Sequence, residues 1–523
     1  MLKNLTIFLM GMSACALNAQ NQPPVIESFT VDPNWTNLTL QIQYEVSDLE
    51  NDPLDVQVQF SHNGGKDYSI TSSVQITGDV GFPVQPGLRT IQCNISALAN
   101  LPVSFVARLV VDDKQPFDLQ ALVNQVDSTR MRTDLEYLEG VRHRTAGLAQ
   151  LQNAQDTIRN LFLSQGFVYE EQAVPFGNYT GKNLIGNHTG TFSAEKVVIN
   201  DAHYDTVSNA PGADDNGSGT VGFMEAARIL SPFPFKKTLR FIGFDLEESG
   251  LIGSIRYVSQ GIPAGEQIEG VFNHEMIGYW SDEPNSQTLP QGFPLIFPAA
   301  ANAVAANQYR GDFITNVGNT TSQPLALLFS NSAQQYVPDL KVITLDVPGN
   351  GQIAPDLRRS DHTPFWEAGK QALMLSDGAN FRNECYHTPG DTLNEKLNFT
   401  FMSNVVKATV AAMAQLAEIQ HGDWASAAFA GNTINTTEIP SCSVRVFQQD
   451  GQSGAFNLQI LRCNDSEMFV TLMDMKGAIL LEEILQVQES ETYTIQTPNL
   501  PAGIYVLKTG RGEAVQSQKI MLR

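Results

Sequence analysis

The chain has 523 residues, too many for a single ordinary core of about 100–200 residues, so about three folding units are expected. Its 42% hydrophobic and 17% charged content excludes a disordered or fibrous chain. A formal net charge of −23 argues against nucleic acid as a partner, because neutralising phosphates takes clustered Lys and Arg.

Residues 1–20 read as an export signal. Lys3 gives a short positive region, Leu5 to Met12 is largely apolar, and small residues lead towards Ala19. The apolar stretch is too short to span a bilayer, which takes about 20 residues. A rival reading takes Met12-Ser13-Ala14-Cys15 as a lipoprotein cleavage box with Cys15 lipidated. No later segment reads as transmembrane, and Pro298 and Asn302 interrupt the alanine-rich stretch from Ala299 to Ala306.

Residues 21–115 alternate like half-buried strands. Leu38, Leu40, Ile42, Tyr44 and Val46 fall on one face, as do Leu54, Val56, Val58 and Phe60, and then Val103, Phe105, Ala107, Leu109 and Val111. Turn clusters such as Asn63-Gly64-Gly65 separate the runs. The expectation is an immunoglobulin-like or fibronectin-like sandwich acting as a spacer or binding module.

From 116 to 425 strands alternate with helices, the grammar of an α/β layered domain. Leu151, Ala154, Ile158, Leu161 and Phe162 mark one helical face that Gly166 is placed to end. Val197-Val198-Ile199 and Leu239 to Phe244 read as strands buried on both faces, and a further helix is expected over Phe401 to Gln420. From 437 to 523 short strands return at Phe469 to Leu472, Ile479 to Ile484 and Ile504 to Leu507, giving a second all-β sandwich. Cys442 and Cys463 flank two of these strands and are a candidate bridge in an exported protein. Cys93 and Cys385 are expected free and buried.

Residues able to hold metal gather at strand ends in the central region, where open α/β sheets bind ligands. His203-Tyr204-Asp205 follows the first buried strand, and residues two apart in extended chain face the same way, so Asp205 is placed to orient the His203 ring. Gly212-Ala213-Asp214-Asp215-Asn216-Gly217-Ser218-Gly219 precedes a helix, and Glu247-Glu248 follows the second strand. Asn273-His274-Glu275-Met276, Ser360-Asp361-His362 and Tyr386-His387-Thr388-Pro389-Gly390-Asp391-Thr392 complete the set. Each alone reads equally well as a turn or a solvated carboxylate; together they describe one crevice.

In order and spacing these runs, with Phe381-Arg382-Asn383, resemble the co-catalytic zinc aminopeptidases of clan MH, the bacterial leucyl aminopeptidase-like family, from Leu135-Glu136 to about Gln420. The resemblance implies a three-layer α/β domain with a mixed central sheet, and two zinc ions. It implies that Asp215 bridges them, that His203 and Glu275 complete one site, and that Glu248 and His387 complete the other. Glu275 stands where the best-known relatives carry Asp. By the same resemblance Glu247 is the general base, Tyr386 stabilises the oxyanion, Arg359 contacts substrate, and the Asp215–Asn216 peptide is cis. His274 is expected to point away from the metals. The implied activity is removal of N-terminal residues from peptides with a free amine. A carboxypeptidase, a dipeptidase and a glutaminyl-cyclase-like enzyme are the alternatives within the fold, and an inactive surface-binding protein is the alternative of another class.

Leu500-Pro501-Ala502-Gly503-Ile504-Tyr505-Val506-Leu507 and the closing Lys519-Ile520-Met521-Leu522 resemble the C-terminal sorting domain of type IX secretion, with Phe447-Gln448-Gln449-Asp450 in place of the usual Tyr-Pro-Asn-Pro start. That resemblance implies a secreted or cell-surface protein whose tail engages secretion machinery.

Overall fold

The computed structural model describes residues 21–99 and 104–431, and beyond them the strand segments between 443 and 522. Residues 1–20, where the sequence leads one to expect an export signal and which include Cys15, lie outside the described residues, as do Val103, Cys442 and Cys463. The chain divides after Gly431 into two compact units.

The first unit opens with β1 (Val25–Asn34), β2 (Thr39–Ser47), β3 (Leu54–Ser61), β4 (Gln75–Gly78), β5 (Gly81–Val84), β6 (Gly87–Asn94) and β7 (Phe105–Asp112). Alternation decides their faces: Leu40, Ile42, Tyr44 and Val46 on β2, Leu54, Val56, Val58 and Phe60 on β3, and Phe105, Ala107, Leu109 and Val111 on β7 all point into one core. Leu38 departs from the expected alternation, because it occupies the turn before β2 at φ 55°.

Next come α1 (Leu119–Val123), α2 (Ser128–Leu138), α3 (Leu148–Ser164), β8 (Val168–Phe176), β9 (Tyr179–His188), β10 (Ser193–His203), α4 (Gly217–Leu230), β11 (Lys237–Phe244), α5 (Ile252–Gln260) and β12 (Gln267–His274). They are followed by α6 (Phe293–Ile296), α7 (Pro298–Ala306), β13 (Phe313–Asn319), α8 (Gln323–Tyr336), β14 (Lys341–Val347), α9 (His362–Glu367), β15 (Ala372–Ser376) and α10 (Phe399–Leu416). On α3 the buried residues are Leu151, Ala154, Ile158, Leu161 and Phe162, and Gly166 closes the helix at φ 78°. The last helix runs from 399 to 416 instead of 401 to 420, because the Asn398 side chain caps it by accepting from Phe401 N at 2.9 Å.

The strands form an eight-stranded mixed sheet in the order β14-β13-β15-β12-β10-β11-β9-β8. Its centre is parallel, β10 pairing with β11 on one side and β12 on the other, and β12 pairing with β15. The β10 residues from Val197 to His203 are all buried, as expected of a strand with helices on both faces. The chain leaves β10 for β11 on one side and reaches β12 on the other, so a crevice opens at the carboxyl end of β10.

The final strand of this unit, β16 (Gly422–Phe429), returns to the first sandwich and pairs antiparallel with β7 along its whole length. The two sandwich sheets are then β1-β2-β6-β4 and β16-β7-β3-β5. A catalytic stretch ending at 425 would therefore cut a strand. The physical reason lies in the edge of β7, whose hydrogen-bonding groups need a partner, and in Phe429, which stacks on Phe105 at 5.3 Å in the sandwich core.

The second unit is all β. Ser443–Phe447 (β17), Ala455–Arg462 (β18) and Thr492–Gln496 (β21) form one sheet, and Ser466–Met473 (β19), Ile479–Val487 (β20), Gly503–Arg511 (β22) and Ala514–Leu522 (β23) form the other. Among the described residues no helix is long and apolar enough to cross a membrane.

Candidate metal centre

The carboxyl ends of the parallel strands deliver the donors. His203 is the last residue of β10, Glu247 and Glu248 follow β11, and Glu275 directly follows β12. Asp215 sits in the turn before α4, with a cis peptide to Asn216, and His387 lies in the loop beyond β15 at φ 58°.

These side chains form two adjoining groups, His203 with Glu247 and Glu275, and Asp215 with Glu248 and His387. His203 Nε2 is 3.3 Å from Glu275 Oε2 and 3.4 Å from Asp215 Oδ1. His387 Nε2 is 3.0 Å from Asp215 Oδ2 and 3.1 Å from Glu248 Oε2. One oxygen of Asp215 thus faces each imidazole. Glu247 Oε2 is the most distant member, 4.0 Å from His203 Nε2.

Close as they are, His203 Nε2, His387 Nε2, Asp215 Oδ2 and Glu248 Oε1 are buried and make no hydrogen bond. Polar atoms that converge without bonding one another are costly unless a cation sits among them, and mixed imidazole and carboxylate donors suit zinc better than calcium. The protonation directions point the same way. Burial lowers the pKa of His387, but Asp215 and Glu248 outweigh it and push the imidazole up to about 10. Burial likewise lowers the pKa of His203, but Glu247 and Glu275 outweigh it and hold it well above the ordinary value. A proton is held where a cation fits.

Neighbouring residues fix the donors. The Asp205 main-chain oxygen is 3.2 Å from His203 Nδ1, nearer than its carboxylate at 3.5 Å. The carboxylate instead accepts from Glu247 N at 3.1 Å and Glu248 N at 3.3 Å. Asp205 therefore orients the histidine chiefly through its backbone and holds the glutamate pair with its side chain. Glu275 Oε2 accepts from Ser360 Oγ at 2.9 Å and Asn216 Nδ2 at 3.2 Å.

Asp214, beside Asp215, points elsewhere. It accepts from Asn383 Nδ2 at 2.8 Å and from Gly278 N at 3.2 Å, tying three loops together. His274 turns behind the sheet to Asn200 and Thr409, and burial pushes its pKa down to about 3. His362 likewise turns to the Leu357 carbonyl, and Asp361 is buried beside it without a hydrogen bond to either oxygen.

Two contributors escaped the sequence reading. Arg142, 1% exposed, donates to the carbonyls of Leu138, Tyr204, Pro211 and Gly212 and so fastens the loop that carries Asp215. Asp391 accepts from the main-chain N–H of Asp214 at 2.9 Å and of Asp215 at 3.0 Å. Asp391 stands in the run singled out above, although no role was attached to it; nothing in the sequence distinguishes Arg142.

Tyr386 stacks on His387 with ring centroids 3.9 Å apart and planes at 15°. Its hydroxyl oxygen accepts from Arg359 Nη2 at 2.8 Å. Beside these two side chains and Glu275 opens a pocket whose walls include Phe293, Phe313, Val317, Leu345 and Met374. Of the cysteines, Cys93 is free and buried as expected, whereas Cys385 is free but half-buried, because its loop lies at the rim of the site.

The sequence profile of Peptidase family M28 matches residues 183–413, the span holding all these donors. The uncharacterized protein YfbL of Escherichia coli is 31% identical over 315 residues, 56% of this chain and 91% of that protein. The chain belongs to peptidase family M28. As a member it is a metallo-exopeptidase in class. Aminopeptidase YwaD of Bacillus subtilis is 42% identical over 105 residues, 20% of this chain and 23% of that one. A solved structure of a zinc aminopeptidase from Bacillus subtilis superposes with a TM-score of 0.35 at 27% identity, covering 47% of this M28 chain and 52% of the other. The chain thus spans a quarter to a half of these two aminopeptidases. A second profile, the secretion system C-terminal sorting domain, matches residues 452–523.

Proposed function

We propose that this M28 peptidase is an exported zinc aminopeptidase that removes N-terminal residues from peptides at a two-metal site. The observation that carries the reading is the convergence of His203, Asp215, Glu248, Glu275 and His387, four of them (all but Glu275) with a buried donor atom that makes no hydrogen bond, beside an apolar pocket. In this reading His203, Asp215 and Glu275 hold one zinc ion, and Asp215, Glu248 and His387 hold the other. When bound, the ions supply Lewis acidity, which polarises a peptide carbonyl and brings the proton loss of water close to neutral pH.

Glu247 is the proton carrier. It is the member farthest from its imidazole neighbour, so the other carboxylates serve as ligands before it does. Burial, opposed by His203 and reinforced by Glu275, holds its carboxyl well above the ordinary range, which makes its carboxylate a stronger base. It takes the proton of the attacking water on a carboxylate oxygen and returns it to the departing amine nitrogen. The Tyr386 hydroxyl donates to the oxygen that develops negative charge. The substrate's N-terminal side chain enters the apolar pocket, and its α-amine faces the carboxylates at the pocket mouth.

The parts of the protein in this reading are an export signal (1–20), a sandwich built from 21–115 together with β16, a catalytic region from 116 to 421, and a sorting domain (437–523) that engages type IX secretion machinery. The sorting-domain match supports export to the cell surface or beyond.

The test is hydrolysis of a panel of aminoacyl-anilides and their N-acetylated counterparts, with chelator and with zinc restored. Zinc-restored cleavage of the free-amine set alone is expected. Cleavage of acetylated substrates, or of peptides only from their carboxyl end, would move the activity to an endo- or carboxypeptidase.

A further inference from the structure

Arg359 lies on the rim shared by the metal centre and the apolar pocket, with its side chain 42% exposed. A cation in that place invites the reading that it grips a substrate carboxylate. Its hydrogen bonds point inward instead. Nη2 donates to the Tyr386 hydroxyl oxygen at 2.8 Å, Nη1 donates to Asn380 Oδ1 at 2.9 Å, and Asp356 lies 3.6 Å away.

A phenol has one proton. With Arg359 donating to the oxygen, that proton must point elsewhere, and the His387 stack leaves the ring little freedom to turn. The backbone step Arg359-Ser360 adds a second constraint. Ser360 Oγ shares its one proton between Asn273 Oδ1 at 2.8 Å and the Glu275 carboxylate at 2.9 Å, so adjacent residues touch Tyr386 on one side and a proposed ligand on the other. That step is itself anchored by Thr363, whose N–H donates to Ser360 O at 3.1 Å and whose hydroxyl donates to Arg358 O at 2.8 Å.

We propose that Arg359 is a positioning residue. It fixes the Tyr386 hydroxyl as a hydrogen-bond donor aimed into the metal centre, and it acts on turnover through that tyrosine instead of by contact with substrate. The proposal rests on the aminopeptidase reading for its kinetic consequence, but not for the placement of Tyr386.

A double-mutant cycle on leucyl-anilide hydrolysis tests it. Loss of an oxyanion donor costs about 100-fold in kcat, so Tyr386→Phe is expected to fall by about that factor, and Arg359→Met by about tenfold with KM nearly unchanged. Arg359→Lys, which keeps one cationic donor, is expected to recover part of the Arg359→Met loss. In the Tyr386→Phe background Arg359→Met should cost less than about twofold more, because coupled residues fail to add. Losses that multiply in the double variant, or an Arg359→Met effect confined to KM, would overturn the proposal in favour of substrate contact. A neutron crystal structure of Arg359→Met reads the placement without any turnover. A Tyr386 hydroxyl proton turned out of the metal centre supports positioning, and a proton still aimed into it sinks the proposal. If the wild-type enzyme cleaves no free-amine substrate, the aminopeptidase reading fails, and the crystallographic outcome still decides the role of Arg359.

Discussion

Glu247 and Glu248 are neighbours in sequence, yet the site asks different things of them. Glu248 Oε2 lies 3.1 Å from His387 Nε2, which also faces Asp215, whereas Glu247 stands 4.0 Å from its imidazole. If Glu247 moves protons and does not hold metal, Glu247→Gln should retain both zinc ions by elemental analysis while kcat drops by about 10²–10⁴, the usual contribution of a general base. His387→Ala should instead lose metal, since it removes an imidazole that faces both Asp215 and Glu248. Glu247→Gln turning over like wild type would show that the assigned base is wrong. The candidate donors were legible as short polar runs at the ends of buried strands and in the loops after them, while their grouping into one ligand set follows from the family resemblance. Asp205 was legible only in part. Residue alternation places its side chain on the face of His203, but it does not reveal that the carboxylate is occupied by the amides of Glu247 and Glu248 from another strand.

Loops, more than strands, set the precision of the centre, and their fastenings were the least legible part. Arg142 lies in the run Val141-Arg142-His143-Arg144, which nothing in the sequence sets apart, yet it is buried against carbonyls of the loop between β10 and α4. A sequence pattern cannot announce such a role, because the partners are backbone atoms that every residue carries. Arg142→Met should strand those carbonyls in a buried place, costing at least about 3 kcal/mol of stability by denaturant unfolding; a loss within error would show that water replaces the guanidinium. The junction of sandwich and catalytic region has a similar fastening. His421 Nδ1 meets both Asp113 oxygens at 2.8 Å. Burial pulls the His421 pKa down, but Asp113 and then Asp112 outweigh it, so the folded value is raised. A raised histidine contributes stability fully below its unfolded pKa of about 6.5 and loses it as pH rises through the folded value. The stability difference between wild type and His421→Gln should therefore be largest in mild acid and shrink towards alkaline pH. A difference that grew with pH would reverse the sign assigned to this pair.

At the scale of the whole first unit, the sandwich and the catalytic region are not independent beads. β16 leaves α10, crosses back, and completes the sheet edge beside β7. Phe429 stacks on Phe105 and meets Phe60 edge-on at 6.3 Å. Farther along the same strand, Trp424 faces the other way, its ring 5.2 Å from that of His188 and its Nε1 donating to the Ser231 carbonyl at 3.4 Å. Asp423 Oδ2 accepts from Ile26 N at 2.8 Å, and the Ala430 carbonyl accepts from Trp35 Nε1 at 3.1 Å. The strand was hard to see because Ala425, Ala427 and Ala428 blur the alternation that marked β2 and β3 so clearly. One strand thus enters the sandwich core with Phe429 and touches the catalytic region with Trp424, and a spacer role for the sandwich accounts for none of these contacts. Two truncations separate the possibilities. A chain ending at Gly431 keeps β16 and should match the full protein in the melting of this unit and in zinc-dependent turnover. A chain ending at His421 leaves β7 unpaired and removes Phe429 from the core, where losing a buried Phe costs about 3–5 kcal/mol. It should melt lower, and expose an apolar strand edge prone to self-association. Equal melting of the two chains would mean that the sandwich closes without β16 and is, after all, a separable module.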